Sequence, residues 1–403
     1  MLKKSSHNPS LLLSIAALAI LLCVSSSASA QPIMGEEPQT VEDVFRPVVE
    51  EVRVETWVQN LQIPWSIIFL PNGDALVSER RGQIQRIPQG QSQPQLYIKI
   101  DEVAHVGDGG LMGLALHPQF DQHPFVYAMH MYRKEGKDGE EVKDDQLFTR
   151  VIRLRHQGDT GVFDQIVLDG IPGAGVHIGG RIGFGPDGML YVGTGDLWDQ
   201  PLSQDLESLA GKILRIAPDG QIPADNPFPG SLIYSYGHRV VQGLAWDPET
   251  GAMFNSEHGS SGEWPGVTAR DEVNIVEKGG NYGWPNVVGA PRMAAYKDPI
   301  AMWKKASVPP AGMTFFRGDL FLATLGCQAL LCFRFKEDSD GYEIDRIERW
   351  FARDLRNGTY GRLRDVEVGP DGYLYVLTSN TDGRAELRPN DDKILRLKFR
   401  PGE

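Results

Sequence analysis

The sequence predicts an all-β chain folded as a six-bladed β-propeller, and two observations predict it. Glycine (45) and proline (27) are frequent among the 403 residues, and turn signals alternate with short apolar stretches where long amphipathic helical patterns are scarce. One unit of apolar run, turn and apolar run, mostly with a proline before the turn, recurs six times in order. A two-sheet sandwich does not account for six ordered repeats. A ring of four-stranded blades does, because radial packing leaves only short edges.

In chain order the six hairpin units are "FLPNGDALVSE" (69–79), "LHPQFDQHPFVYAMH" (116–130), "FGPDGMLYVGTGD" (184–196), "WDPETGAMFNSEHG" (246–259), "FFRGDLFLATLG" (315–326) and "VGPDGYLYVLTSN" (368–380). Downstream of each lies a third strand: "GQIQRI" (82–87), "RVIRLR" (150–155), "GKILRI" (211–216), "EVNIV" (272–276), "LLCFRF" (330–335) and "DKILRL" (392–397). The segment "VRVETWV" (52–58) is expected to close the ring by pairing with the C-terminal sheet. The charged stretch 130–146 reads as a solvated excursion between strands.

The chain opens with Lys3 and Lys4, an apolar run from Leu11 to Val24, and small residues ending "SASA" at Ala30. That pattern is a secretory signal peptide over 1–30. The run is short for a membrane span. Residues 31–50 read as a flexible lead-in, and 51–400 as the propeller domain. A secreted or periplasmic protein with no membrane span after cleavage is expected. The formal charge is −13, so nucleic acid is a poor partner. Cys327 and Cys332 would lie about 16 Å apart on one straight strand, and the reading favours two buried free thiols.

Chemistry in a propeller belongs where inner-strand ends and loops converge. In "GVHIGGRIGFGPDGMLYVGTGD" (175–196), His177 precedes one strand, Asp196 ends the next, and "GPDG" folds them together. A carboxylate beside an imidazole orients it and raises its basicity. The same spacing also suits a structural histidine with Asp196 capping a turn. "YGHRVVQG" offers His238, Arg239 and Gln242, and "GRLRDV" puts Arg362 and Arg364 on one face of a strand. Three arginines from two separate segments suit a carboxylated ligand; separate surface ion pairs are the alternative. The stretch 256–285 carries Glu257, Asp271, Glu272 and Tyr282 among glycines. Carbonyls plus a carboxylate suit Ca²⁺, but the pattern is neither an EF-hand nor a zinc site.

These motifs, with "IPWSIIFLPNGDALVSERRGQIQRI", "GDGGLMGLALHPQF", "LAGKILRIAPDG", "YGHRVVQGLAWDP" and "GRLRDVEVGPDG", stand in one order over about residues 55–398. Together they resemble the soluble quinoprotein glucose dehydrogenase / glucose–sorbosone dehydrogenase family, which includes the PQQ-dependent aldose sugar dehydrogenases. The resemblance implies oxidation of an aldose at the anomeric carbon to a lactone. Hydride would pass to pyrroloquinoline quinone (PQQ) held with Ca²⁺, and the electrons then to an external acceptor. It implies His177 as general base, Asp196 as the group that holds it, and Arg239 as stabiliser of developing charge. Asp108, Gln242, His258, Arg362 and Arg364 join His177 and Arg239 as cofactor contacts. The carbonyls of Gly259 and Ser260 would hold Ca²⁺, with Glu272 and Tyr282 nearby.

Four positions depart from the family pattern. Val240 stands where asparagine is common, Asp108 where glutamine is common, and Gly326–Cys327 where a lysine or arginine usually follows the strand. Ser260 replaces a frequent proline and begins a longer loop, "SSGEWPGVTAR". These departures motivate a second reading, a non-catalytic propeller that binds carbohydrate or a protein partner. A metal-dependent lactonase on a similar propeller ranks last, because the arginines suit an anionic cofactor better.

Overall fold

The computed structural model describes residues 31–38, 42–46, 52–134, 146–304, 306–336, 341–354 and 356–399. The expected signal peptide and most of the 130–146 excursion lie outside the described residues. His130 to Arg133 continue a strand instead.

Six antiparallel blades follow one another along the chain. Their innermost strands are Pro64–Phe69, Leu111–Leu116, Gly179–Phe184, Val241–Trp246, Pro310–Phe316 and Leu363–Val368. Each packs beside the next, and the last beside the first, so the ring is closed. Closure uses the expected pairing: Val52–Val58 is the outer strand of blade 6, with Phe399 opposite Val52 and Ile394 opposite Val58. The proline-turn signals sit between first and second strands, as in "GPDG" at 185–188, which returns the chain so that Leu190 stands opposite Phe184.

Burial explains why the strands alternate less than a solvated sheet would. Both faces of each blade meet a neighbour, so inner strands read as nearly continuous apolar runs. Six apolar clusters fill the six interfaces. Tyr127 and Leu190 meet between blades 2 and 3, and Phe254 and Phe315 between blades 4 and 5. Each fully buried side chain of this size contributes about 1.5–3 kcal/mol. A seventh, small cluster of Trp264, Val267, Trp284 and Val288 seats a hairpin made by Ser260–Trp264 and Val267–Ala269.

The lead-in reading needs correction for the residues described. Ile33–Met34 pairs in parallel with Val287–Val288, and Glu42–Arg46 adds a fifth, parallel strand to the outer edge of blade 5. Glu42–Arg46 finds the open edge of blade 5, while Ile33–Met34 forms a separate two-stranded sheet with Val287–Val288; a turn-rich composition reveals neither. Cys327 and Cys332 are buried free thiols, as expected. No helix among the described residues is long and apolar enough to cross a membrane.

Candidate active site

The start of each innermost strand and the end of the second strand lie at the same mouth of the channel. That geometry collects residues far apart in sequence. His177 and Asp196 come from blade 3, Arg239 and Gln242 with Glu257 and His258 from blade 4, and Arg362 and Arg364 from blade 6. Blade 5 presents Leu325 and Gly326 after its second strand, which add no charge there.

His177 and Asp196 meet as the hairpin predicts. His177 Nδ1 lies 2.7 Å from Asp196 Oδ1. The carboxylate is fully buried and also accepts from the Trp198 amide (3.0 Å) and Trp284 Nε1 (2.8 Å). Gly195 permits the approach: a Cβ there would stand 2.0 Å from the His177 carbonyl oxygen. His177, Leu197 and Trp198 all adopt left-handed φ (56°, 59° and 67°). Such backbone costs on the order of 1–3 kcal/mol per residue and clusters at functional sites.

The second imidazole nitrogen fixes the tautomer. His177 Nε2 faces Arg239 Nη2 at 3.1 Å. A guanidinium only donates, so Nε2 accepts and the ring proton sits on Nδ1 toward Asp196. This is the protonation state a general base needs. Arg239 is itself buried and heavily engaged. Its Nε donates to Glu263 Oε1 (3.0 Å), its Nη2 to Ser261 Oγ (3.0 Å), and its Nη1 to the His258 carbonyl (3.3 Å).

The other side of the mouth is different. Arg364 donates to Gln242 Oε1 (3.0 Å), packs over Trp65, leaves its Nε without a partner, and makes no ion pair among the described residues. Burial, then the neighbouring Arg362, pushes its pKa down to about 9. Arg362 pairs with Asp382 (3.0 Å). Arg80, which sequence reasoning missed, is buried on the carbonyls of Gly107 and Gly109. It too has no ion pair among the described residues, and burial lowers its pKa. Asp108, read as a ligand contact, is instead ion-paired with Arg384 at the rim. His258 Nε2 donates to the Pro310 carbonyl (2.9 Å). Burial, then Arg239 and Arg364, holds its pKa well below the ordinary value, so the ring is neutral. An unmatched guanidinium beside an amide and a neutral imidazole fits an anionic, polar ligand.

The predicted cation residues converge in part. Gly259, Glu272 and Tyr282 line one cavity with Glu257 and His258. Its volume, about 20 Å³, suits a water or a bare ion and nothing larger. Glu257 and Glu272 stand directly opposite on paired strands. Burial, then Glu257, pushes the Glu272 pKa well up, the mark of a carboxylate lacking compensation. The two carboxylates and the Gly259 backbone suit a hard cation, while Arg239 and Arg270 line the same cavity and supply positive charge of the chain's own. Ser260, whose carbonyl is expected to join that of Gly259, is not among the residues lining this cavity. The Tyr282 hydroxyl is spent on the Ile275 carbonyl and the Glu277 amide. The Ser260 hydroxyl turns to Glu263 (2.6 Å). Gly259 is required where it stands, because a Cβ would lie 2.1 Å from the Arg270 carbonyl.

The site residues that sequence reasoning missed are Arg80, Glu263, Trp284 and Asp382. Glu263 and Trp284 fall within the stretch 256–285, yet neither carries a local signal of its partner.

Comparison with known proteins gives the family. Residues 61–390 match the family model described as Glucose / Sorbosone dehydrogenase. Aldose sugar dehydrogenase YliI of Escherichia coli K12 is 31% identical over 395 residues, covering 91% of this chain and 96% of the relative. A solved structure from Thermus thermophilus, provisionally assigned as an oxidoreductase (glucose dehydrogenase), is 47% identical with a TM-score of 0.77, covering 86% of this chain and 100% of that one. The PQQ-bound aldose sugar dehydrogenase of Streptomyces coelicolor is 36% identical with a TM-score of 0.73, covering 88% and 100%. With a six-bladed propeller, a matched span of 61–390 and relatives of this kind, the chain belongs to the glucose/sorbosone dehydrogenase family.

Proposed function

We propose that this protein oxidises an aldose at the anomeric carbon to the lactone, with PQQ and Ca²⁺ at the channel mouth and an external electron acceptor. The observation that carries the reading is Arg364, a buried guanidinium with no ion pair among the described residues and an unpartnered Nε. Burying a charge without a counter-charge is costly, and a carboxylated ligand supplies the missing partner. The PQQ-bound relative from Streptomyces coelicolor supports the identity of that ligand. When bound, PQQ supplies the two-electron oxidising power that no side chain has.

The chain's own residues then have separable tasks. His177 Nε2 takes the proton of the anomeric hydroxyl, and Asp196 holds the Nδ1 proton and balances the imidazolium that forms. Arg364 and Arg362 bind ligand carboxylates, with Gln242 orienting Arg364. Arg239 stabilises charge that develops next to His177. His258 presents a neutral nitrogen, and Asp108 tunes the rim through Arg384. The Gly259 carbonyl and the Glu272 carboxylate would hold Ca²⁺ in the cavity that Tyr282 walls, joined by the carbonyl of the next residue, Ser260. Residues 1–30 act as a secretory signal, and the protein works in the periplasm or outside the cell as one propeller domain over 51–400.

The test is reconstitution. Purified protein is mixed with PQQ and Ca²⁺, and dye reduction is followed with a panel of aldoses and a control lacking PQQ. PQQ-dependent reduction with at least one aldose is the expected result. No reduction and no PQQ-dependent absorbance change would overturn the reading in favour of a non-catalytic, carbohydrate- or protein-binding propeller.

A further inference from the structure

The longer loop noted in the sequence folds into the 260–269 hairpin, and its role is specific. Trp264 packs edge-on against Trp284 with ring centroids 5.2 Å apart, and Val267 and Val288 complete the contact. Docked this way, the hairpin carries Glu263 into the mouth. The Glu263 side chain is 1% exposed and that of Arg239 2%. Glu263 Oε1 accepts from Nε and Nη2 of Arg239, while Oε2 accepts from Ser260 Oγ (2.6 Å) and the Ser261 amide (2.7 Å). Ser261 Oγ accepts a further bond from Arg239 Nη2 (3.0 Å).

The guanidinium therefore spends Nε and Nη2 on the hairpin and Nη1 on the His258 carbonyl, and its remaining contact is His177 Nε2. One Nη1 hydrogen remains, but the Nε–Nη2 edge that a carboxylate would grip is filled by Glu263, and the imidazole nitrogen that a base needs is covered. Arg364, across the mouth, shows the contrasting case of an arginine with no carboxylate on it among the described residues.

We propose that Glu263 is the chain's own occupant of the anion seat on Arg239, so that an anionic ligand reaches Arg239 and His177 Nε2 only by displacing the 260–269 hairpin. Ala269 and Arg270, at its base, hold left-handed φ of 64° and 68°, and Gly262 and Gly266 flank its tip at 105° and 77°. Non-glycine residues in that region store strain that another conformation releases. Exchanging one carboxylate for another on the same guanidinium yields no new ion pair, so the resting contact lowers apparent affinity by the fraction of open molecules. The inference rests on the reading that the site takes PQQ.

The experiment is an absorbance titration of PQQ, with stopped-flow association, into full-length protein, Glu263→Gln and Trp264→Ala, each checked for native circular dichroism and melting. Citrate, a tricarboxylate without quinone chemistry, is titrated in parallel by thermal shift. Glu263→Gln is expected to bind PQQ about tenfold more tightly, a change of about 1.4 kcal/mol, and to associate faster. Trp264→Ala, which keeps the carboxylate but loosens its dock, should shift in the same direction by less. Equal or weaker PQQ binding by Glu263→Gln would overturn the proposal and leave Glu263 as a support that aims Arg239. If no form takes PQQ but citrate stabilises Glu263→Gln more than wild type, the occupant stands and the PQQ reading falls. If neither ligand distinguishes the two forms, the occupant is overturned.

Discussion

The two sides of the channel mouth bury the same residue type in opposite circumstances. On the side of blades 3 and 4, Arg239 is matched by Glu263, a serine hydroxyl, a backbone carbonyl and an imidazole. On the side of blades 6 and 1, among the described residues, Arg364 has one amide and Arg80 has carbonyls but no carboxylate. The first side is complete as folded. The second carries positive charge that the chain does not neutralise, at a cost in stability that a ligand would recover. The difference teaches where folding ends and binding begins: a saturated polar network supports structure, while an unsaturated one anticipates a partner.

The comparison can be broken in measurable ways. His177→Ala should lower turnover of the reconstituted enzyme by about 10²–10⁴-fold while PQQ binding by absorbance titration persists. Full activity in that variant would remove His177 as the base. Arg239→Ala should destabilise the protein by about 3–5 kcal/mol in urea unfolding, because it strands a buried carboxylate. Arg364→Ala should behave oppositely. It weakens PQQ binding by roughly 1.5–3 kcal/mol, the range for a hydrogen bond to a charged group, yet leaves the melting temperature unchanged or higher. A melting loss matching that of Arg239→Ala would erase the distinction between the two sides.

Two smaller effects sharpen it. Glu367, deeper on the same strand as Arg364, accepts from its neighbour's amide, and burial, then Asp365, pushes its pKa up to about 8. The folded chain keeps that proton up to about pH 8, whereas the unfolded chain loses it near 4.5. Wild type therefore loses stability as pH rises through that window, by up to about 1.4 kcal/mol per unit. Glu367→Gln should flatten this slope in denaturation series from pH 4 to 8, and an unchanged slope would exclude Glu367 as its source. Arg384, 56% exposed on its side chain, forms a rim pair with Asp108. Arg384→Ala should change stability by less than about 1 kcal/mol, read as a melting shift of a few degrees at most.

How much was legible depended on whether partners were neighbours along the chain. "GPDG" between two apolar runs brings His177 to Asp196 within one hairpin, so that contact follows from turn chemistry alone. Arg362 and Arg364 share a strand face by its period of two. Arg80 and Arg81 are indistinguishable as letters, yet Arg80 is buried and Arg81 exposed, because blade 1 turns just there. Glu263 looked like one acid in a polar insertion. Its contact with Arg239 exists because Trp264 finds Trp284 twenty positions further on. The lead-in strands Ile33–Met34 and Glu42–Arg46 have no local signal for the same reason, since their partners lie far along the chain.

The sequence by itself determined the ring of six blades, its closure by Val52–Val58, and the histidine–aspartate pair, because turns, strand periodicity and repetition act over short distances. Tertiary structure alone decided which arginine stays unmatched and which is covered. Those states depend on counter-charges brought from other blades and from the 260–269 hairpin. Electrostatic pairing of that kind is set by packing across tens to hundreds of residues and by no local pattern.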